Sequence, residues 1–249
     1  MDDYTLEYFL SIKTVQLDLV KDRGYIIPKH EENSVDNIKN FREFMDKIED
    51  DTLDDYWFRK ANLLRNDTNL KQLKKLYQTN KDHKNHYPSW QIYLNFYKTK
   101  MLLVYYINLD GDIPVRVVRF LIEFSDFFRK IRENLELSII LISNTELTAE
   151  SKKQLILVEK INFFLENELT YNPVKHVSNQ QHILLTDEQA LELEKEFKIN
   201  RSKLPGIKFD NPIVKYYGFK KGDVIKVIRI EHHLSILAKK SLNYRVVII

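Results

Sequence analysis

The sequence predicts an α+β protein built from two domains. Residues 1–172 are expected to begin with helices and to continue as an α/β domain with a small, mainly parallel sheet. Residues 173–249 are expected to form a compact α+β domain. Three observations predict this organisation: helical periodicity near the amino terminus, alternation of apolar strands and helices in residues 101–171, and dense proline and glycine positions in residues 204–222.

The amino-terminal segment has the spacing of two amphipathic helices. Residues 3–22 carry apolar side chains every three or four positions, and Gly24 is a suitable C-terminal cap. Ser34 is predicted to cap a second helix. Residues 50–100 carry no pattern from which we infer a function. The predicted apolar face of the second helix is Val35, Ile38, Phe41, Met45 and Ile48.

Strands and helices alternate through residues 101–171. The runs MLLVYYINL, LSIILISN and INFFLENELTYN are typical of buried strands. Pro114 lies near the start of the first intervening helix, and Thr148 is predicted to cap the second. This βαβαβ order favours parallel strands with helices packed on them. The run NPVKHVSNQQH then has the composition of a connector, which places a domain boundary near residue 172.

The last domain contains several local stop and start signals. A capping box is predicted ahead of its first helix, formed by Thr186 and Gln189. Asn211 is expected to cap a short helix that begins at Pro212 and ends at Gly218, where a positive φ is expected. The run KKGD predicts a hairpin-type turn into the strand VIKVIRI, and YRVVII predicts the final strand.

Composition excludes several classes of protein and site. Hydrophobic residues are 43% and charged residues 30% of the 249 positions, which predicts a folded chain with a core. The net charge of +3 is too small to indicate an independent nucleic-acid-binding module. The absence of cysteine excludes disulfides, thiolate zinc sites and a cysteine nucleophile. No apolar run approaches the roughly 20 residues of a membrane span, and the acidic start argues against a secretory signal.

Catalytic and metal motifs are weak. A metal-dependent nuclease needs several converging acids, but Glu166 and Glu168 are expected on one strand face and Glu159 stands apart. The pair His232–His233 is adjacent, so on a strand the two side chains would point to opposite faces. The run GFKKGD lacks the spacing of a phosphate-binding loop. We therefore predict no cofactor and no bound metal.

The carboxyl-terminal signals recur in a fixed order. A histidine and a threonine precede a helix, then come Leu-Pro-x-Ile, a proline, Tyr-Tyr-Gly, Lys-x-Gly, a strand ending in arginine and a closing Tyr-Arg. This order resembles the C-terminal signature of the fifth shared subunit of eukaryotic nuclear RNA polymerases and of its archaeal counterpart. The residues that carry it are His182, Thr186, Leu204, Pro205, Ile207, Pro212, Lys215, Tyr216, Tyr217, Gly218, Lys220, Gly222, Val224, Lys226, Arg229, Tyr244 and Arg245.

The amino-terminal segment and several departures refine this resemblance. Residues 22–25, Asp-Arg-Gly-Tyr, are similar to the end of the first helix of the eukaryotic amino-terminal domain. Asn211 replaces the family's aspartate, Ile230 replaces its proline, and the loop at 231–243 is longer. This divergence, with a composition rich in Lys, Asn and Ile, suggests a copy encoded by a large DNA virus.

The resemblance implies a non-catalytic subunit of a multisubunit DNA-directed RNA polymerase that functions in transcription. Residues 173–249 would be a polymerase-assembly domain that docks on the largest subunit, and residues 1–172 a jaw domain near downstream duplex DNA. The DNA contact would be non-specific, and the polymerase active site would lie on other subunits. Other polymerase subunits and transcription initiation factors are further candidate partners, and no membrane is involved. The location would be the nucleus for a cellular protein, or the host cytoplasm and virion for viral transcription.

The expected partner interface follows from the same signature. At least one of its two adjacent tyrosines is expected to be buried, whereas Lys220 and Arg229, or the strand at 224–230, are expected to lie at or beside the surface of the largest subunit. Two alternatives stay open: a free-standing scaffold or transcription-factor-binding module, and a metal-dependent nuclease. The predicted interface residues are Pro212, Lys215, Tyr216, Tyr217, Gly218, Lys220, Val224, Lys226, Arg229, Tyr244 and Arg245.

Overall fold

The chain divides into two compact units, Met1–Tyr171 and Asn172–Ile249, called here the amino-terminal and carboxyl-terminal units. The structure, a computed structural model, describes residues 3–49, 90–131, 134–158, 160–175, 180–231 and 239–248. Predictions made for Glu159, His176, His232 and His233, and for residues 50–89, lie outside the described residues. The predicted α+β class is confirmed, with helices at the amino terminus and a mixed sheet in each unit.

The amino-terminal unit is a four-stranded sheet with helices on both faces. Its strand order is β1-β2-β3-β4; β1 is antiparallel to β2, and the other pairs are parallel. The predicted mainly parallel sheet is therefore present, with an additional antiparallel strand that the sequence did not indicate. The strands are β1 (Trp90–Leu94), β2 (Lys100–Ile107), β3 (Glu136–Ser143) and β4 (Ile161–Leu165). The helices are α1 (Asp3–Asp22), α2 (Lys29–Glu32), α3 (Ile38–Glu49), α4 (Val115–Ile131) and α5 (Ala149–Ile156).

The two faces of the sheet pack against different helices, and successive residues of each strand point to opposite faces. One face carries Leu103, Ile139 and Ile161, which pack with the apolar side of α4 in one continuous core. The opposite face carries Gln91 and Tyr93, whose side chains contact α1. Since both faces of β2 and β3 are covered, these strands read as nearly continuous apolar runs in the sequence.

A buried polar cluster joins α1, α2 and β1. The Lys13 ammonium, on a side chain that is only 2% exposed, lies 3.0 Å from Glu31 Oε2 and 2.7 Å from Gln91 Oε1. The Tyr93 hydroxyl lies 2.7 Å from Glu31 Oε2, and the Gln16 amide donates to that hydroxyl at 3.0 Å. We refer to these five residues as the polar cluster. Burial lowers the pKa of Lys13, and the neighbouring Glu31 carboxylate opposes that shift.

Two predictions for the amino-terminal unit were wrong in detail. Ser34 does not cap α3: it is buried in a 3-10 turn, where its hydroxyl donates to the Glu31 carbonyl, and the Asn37 side chain accepts from Asn40 N–H. The strand predicted from INFFLENELTYN ends at Leu165 and is followed by a 3-10 turn. Glu166 and Glu168 therefore do not share a strand face; Glu168 accepts a hydrogen bond from the Leu165 amide instead.

The carboxyl-terminal unit is a second mixed sheet with order β5-β7-β8-β6. β7 is antiparallel to both β5 and β8, whereas β6 runs parallel to β8. The sequence predicted neither β5 nor β6, and β8 begins at Lys239 rather than at Tyr244. Its elements are β5 (Gln181–Leu184), α6 (Asp187–Phe197), β6 (Gly206–Lys208), α7 (Pro212–Tyr217), β7 (Val224–Glu231) and β8 (Lys239–Ile248).

Unlike the cap predicted at Ser34, the side-chain caps predicted at Thr148 and Thr186 are present. Thr148 Oγ1 accepts from Ser151 N–H at the start of α5. Thr186 and Gln189 form the predicted reciprocal capping box of α6. Within the described ranges, no helix combines the length and apolar character needed to cross a membrane.

Candidate protein-docking surface

The short helix α7 is fixed at both ends by the residues that the sequence indicated. Asn211 Oδ1 accepts from Ile213 N–H at 3.0 Å, and Pro212 occupies the first helical turn. Gly218 has a φ of +69°, its amide bonds to the Lys215 carbonyl, and the following amide bonds to the Val214 carbonyl at 3.1 Å. The predicted positive φ at Gly218 is confirmed.

The run KKGD forms a tight turn that leads from α7 into β7. The Lys220 amide donates to Asp223 Oδ2 at 2.6 Å, and the Asp223 amide donates back to the Lys220 carbonyl at 3.1 Å. Gly222 has a φ of +86°, as the third residue of such a turn requires. Its amide donates to the Val247 carbonyl, so the turn is anchored on β8. The predicted hairpin-type turn follows a helix here rather than a strand.

The two adjacent tyrosines have different environments. Tyr216 is fully buried, and its hydroxyl accepts from the Asn172 side-chain amide at 3.1 Å. Tyr217 is half-buried; its ring stacks on Phe219 at 5.2 Å and meets the Tyr216 ring edge-on. One tyrosine is therefore buried, as expected. Val224 is buried as well, so Tyr216 and Val224 are core residues rather than contact residues.

The other predicted interface residues lie on two opposite faces of the sheet. Lys226 is directly across from Tyr244 in the β7–β8 register, and paired residues of antiparallel strands point to the same face. Arg229 and Arg245 occupy positions of the other parity and point to the other face. No single flat surface of this sheet therefore contains all four side chains.

Helix α6 covers one end of the face that carries Lys226. Ala190 and Leu193 of the helix pack with Val224 in a small buried cluster. Phe197, at the end of the helix, contacts the Tyr244 ring with 6.2 Å between ring centres. Phe197 is 53% exposed, so the helix end closes this cluster only partly.

Beyond α6, the same face continues as an exposed apolar surface. Ile183 is 38% exposed and Leu242 is 49% exposed, although both lie in the register of the sheet. We call this surface the hairpin face. It comprises Ile183, Lys226, Ile228, Leu242 and Tyr244.

The opposite face carries a buried apolar cluster that includes Ile225, Val227 and Val247, and Arg229, Arg245 and His182 lie on this same face. Arg245 Nη1 lies 3.4 Å from the Gly206 carbonyl, and the Arg229 Nε is buried with no hydrogen-bond partner among the described residues. His182 Nδ1 lies 2.6 Å from the Gln180 carbonyl. Burial lowers the pKa of His182, and the charge of Arg245 lowers it further.

The residues around α7 complete the predicted set. Pro212 and Lys220 are exposed, whereas Lys215 and Gly218 are partly buried. Sequence reasoning missed Ile183 and Leu242 of the hairpin face. Ile183 lies in the short apolar run between the predicted connector and the capping box, which was not assigned to a strand, and Leu242 lies in the segment taken as a loop.

We searched the described part of the chain for clusters of side chains that could bind a metal ion. No group of three or more His, Asp or Glu side chains there is arranged to hold a metal ion. Asn172, which the sequence boundary assigned to the first domain, begins the carboxyl-terminal unit and bonds to its core through Tyr216.

Comparison with known families adds a direct finding for the unit just described. Residues 171–247 match the family model of the RNA polymerase Rpb5 C-terminal domain. The subunit rpabc1 of DNA-directed RNA polymerases I, II and III from Dictyostelium discoideum is 39% identical over 79 residues, which are 32% of this chain and 39% of that relative. The corresponding RPABC1 subunit of Caenorhabditis elegans is 35% identical over 85 residues, or 34% of this chain and 38% of the relative.

A plant relative gives the same result. Subunit 5B of the DNA-directed RNA polymerases IV and V of Arabidopsis thaliana is 35% identical over 97 residues, covering 39% of this chain and 44% of the relative. The chain thus spans less than half the length of the curated relatives it matches. The family-model match, over residues 171–247, lies almost entirely in the carboxyl-terminal unit.

Proposed function

We propose that the chain is a non-catalytic subunit of a multisubunit DNA-directed RNA polymerase, in which the carboxyl-terminal unit docks on the largest subunit. The observation that carries this proposal is the family match over residues 171–247. The matched residues include Asn211–Gly218 and Lys220–Asp223, whose caps and turns shape the unit. The polymerase active site belongs to other subunits, and the function of this chain is assembly.

The hairpin face is the proposed contact surface. Its apolar side chains Ile183 and Leu242 are exposed beside a small core, and exposed apolar patches with a polar rim are typical of protein interfaces. Lys226, at the centre of the face, supplies a charge for orientation. Lys220 and Arg229 lie outside this face and define the rival docking surface that the sequence favoured.

The amino-terminal unit would be the jaw domain near incoming downstream DNA. The family resemblance supports this role, and the phosphate contacts would be non-specific and weakened by salt. Transcription initiation factors are further partners within this proposal. The assembly would be nuclear in a cellular organism, or in the host cytoplasm and the virion if a large DNA virus encodes the chain.

Affinity purification tests the subunit assignment. The full chain, tagged at its natural level in its source cells, should recover the two largest polymerase subunits in stoichiometric amounts, identified by mass spectrometry. Recovery of transcription factors without those subunits would favour the free-standing scaffold. Magnesium-dependent DNA cleavage by the purified chain would favour the nuclease alternative.

Two matched sets of variants distinguish the docking surfaces. Leu242→Glu places a charge on the hairpin face, whereas Lys220→Glu with Arg229→Glu reverses charge elsewhere. If the hairpin face docks, Leu242→Glu should reduce recovery of the largest subunit about tenfold or more. If only the double charge reversal reduces recovery, the docking surface is the one that the sequence favoured. Circular dichroism of each purified variant controls for folding.

The two units are also proposed to fold independently. Residues 172–249 contain their own caps, turns and buried clusters, so a fragment that begins at Asn172 should unfold cooperatively. A fragment that begins at residue 173 loses the Asn172–Tyr216 hydrogen bond and should be less stable. Gradual, non-cooperative unfolding of both fragments would contradict independent folding.

A further inference from the structure

The hairpin that joins β1 and β2 carries two adjacent aromatic side chains in solvent. Phe96 is 77% exposed and Tyr97 is 79% exposed, and their rings meet edge-on with centres 5.3 Å apart. Neither ring belongs to the buried core that the described strands form with α4. Their exposure calls for an explanation other than folding, because large aromatic rings in water are unfavourable.

The loop that presents these rings is held in one conformation. The Asn95 side-chain oxygen accepts from Thr99 N–H at 2.8 Å and from Lys100 N–H at 2.9 Å. The Asn95 side-chain amide also donates to the Thr99 hydroxyl, and Lys98 adopts a left-handed conformation with a φ of +54°. A loop fixed in this way loses little entropy when a partner binds its exposed side chains.

A basic cavity lies next to this hairpin, at the edge where the parallel strands begin. It has a volume of about 410 Å³ and includes Thr99 and Lys100 from the hairpin. Its charged lining consists of three cations, Lys100, Arg129 and Lys160, and one carboxylate, Glu136.

The ion pairs of these cations are long and exposed. Lys100 is 4.0 Å from Glu136, and Arg129 is 3.8 Å from Asp126. Lys160 forms no ion pair within the described ranges of the chain. Exposed pairs at such distances add little stability, so the cations retain most of their capacity to attract an anion.

The opposite edge of the sheet has the opposite charge. Exposed acids lie there in the loops after β2 and β3, namely Asp110, Asp112 and Glu146, and Glu150 lies in the first turn of α5. Glu146 pairs with Lys152 at 2.9 Å, so the negative charge of this edge rests mainly on the other three acids. An acidic partner would therefore be attracted to the edge with the cavity and repelled from the other edge.

We propose that the β1–β2 hairpin tip and the adjoining basic cavity form a docking site for an acidic peptide segment of a partner protein that also carries aliphatic or aromatic side chains. The cations contact the carboxylates of the segment, and Phe96 and Tyr97 cover its apolar side chains. Nucleic acid explains the cations less completely, because a duplex backbone offers no apolar surface for Phe96 and Tyr97. The edge-on arrangement of the rings also differs from the stacking platforms that bind single strands. This site is independent of the polymerase assignment, which rests on the other unit.

Fluorescence anisotropy with the purified full chain tests the site. The probe is a short, fluorescein-labelled synthetic peptide in which Asp and Glu alternate with Leu and Phe. The comparison peptide has Asn and Gln in place of the acids. We expect saturable binding of the acidic peptide that weakens as salt rises, and at least about tenfold weaker binding of the neutral one.

Variants with matched controls locate the binding. Phe96→Ala with Tyr97→Ala, and separately Arg129→Gln with Lys160→Gln, should each weaken binding about tenfold. Tyr4→Ala removes another aromatic ring that is 83% exposed, and Lys153→Gln removes an exposed cation on α5; both controls should change binding less than about twofold. All substituted positions are at the surface or in the open cavity, and circular dichroism checks that the fold is retained.

Three outcomes would overturn the proposal. One is absence of saturable binding by the acidic peptide at low salt. Another is equal weakening by the target and control variants, which would indicate general charge attraction. The third is displacement of the peptide by a duplex or single-stranded oligonucleotide that binds more tightly and depends on the same four residues, because the site would then belong to nucleic acid.

Discussion

The two units of the chain hold their elements in place by different means. In the amino-terminal unit, the polar cluster connects α1 to β1 through Lys13 and Gln91, which are 78 positions apart in the chain. In the carboxyl-terminal unit, the corresponding restraints are local: Asn211, Gly218 and the Lys220–Asp223 turn act on neighbouring residues. We therefore expect the stability of the amino-terminal unit to depend most on its buried charges, and the stability of the carboxyl-terminal unit to depend most on backbone conformation.

Removing the buried cation should have the largest effect. Lys13→Met leaves the Glu31 carboxylate, whose side chain is 0% exposed, without its cation, and should lower the free energy of unfolding by ~3–5 kcal/mol. Urea unfolding followed by tryptophan fluorescence measures this, because both tryptophans, Trp57 and Trp90, precede the carboxyl-terminal unit.

An exposed ion pair of the same unit provides the control. Lys21 and Glu32 are 3.8 Å apart with side chains 69% and 56% exposed, so Lys21→Met should cost less than about 1 kcal/mol. The double variant Lys13→Met with Glu31→Leu should recover part of the stability. Equal losses for Lys13→Met and Lys21→Met would contradict the role given to the polar cluster.

Alkaline pH should destabilise the amino-terminal unit next most strongly. Burial raises the pKa of Tyr105 to about 12, and burial followed by the Glu31 charge raises the pKa of Tyr93. The folded chain therefore keeps protons that the unfolded chain releases near pH 10, and stability falls as pH rises above about 10. Tyr105 alone accounts for on the order of 3 kcal/mol once the pH passes 12.

The lowered pKa of Lys13 acts in the opposite direction at lower pH. There the unfolded chain binds more protons than the folded one, so this residue makes stability rise with pH until its ordinary pKa is reached. Urea midpoints measured by tryptophan fluorescence from neutral to strongly alkaline pH should show the net decline. Tyr105→Phe should reduce it, and a pH-independent midpoint would contradict the assignment.

Substitution of Gly218 in the carboxyl-terminal unit should give a smaller loss of stability. Gly218→Val forces a β-branched residue to a φ of +69° and should cost ~1–3 kcal/mol. Hydrogen exchange of β7 peptides, measured by mass spectrometry in the full chain, reports this local stability. Gly218→Asn tolerates the same conformation better and should lose less. If the two variants exchange alike, backbone conformation is not the cause.

Crowding without backbone strain should give the smallest loss. A Cβ added at Gly206 would meet Ile248 Cδ1 at 2.5 Å, but that atom is the end of a side chain that is 43% exposed and able to turn away. Gly206→Ala should therefore cost less than about 1 kcal/mol, and Ile248→Val should relieve part of it. The same hydrogen-exchange experiment measures this loss of stability. A loss as large as that of Gly218→Val would contradict the predicted ranking of the two variants.

The sequence correctly predicted several features that depend on interactions between residues close together in the chain. The caps at Thr148, Thr186 and Asn211, and the positive φ of Gly218, follow from side chains and backbone conformations within a few residues. The order of strands β2, β3 and β4 followed as well, since βαβ connections place consecutive strands in parallel.

The candidate site was predictable only in part for the same reason. Tyr216 and Lys226 were both expected at the interface, but one is buried in the core and the other points to the hairpin face. The local sequence predicts which residues of a strand share a face. Whether that face is buried depends on which helix packs against it. Ile183 and Leu242 were missed because β5 and the first half of β8 become strands by pairing with β7.

The amino-acid sequence was enough to predict the α+β class, most local caps and turns, and the carboxyl-terminal signature, which lies in the region of the family match over residues 171–247. Three features became known only from the folded structure: the pairing of β1, the burial of Lys13 with Glu31, and the position of Lys226 and Arg229 on opposite faces of the sheet. Caps and turns depend on interactions between near neighbours. Strand pairing and the burial of charge depend on contacts between residues far apart in the chain, which no local pattern records.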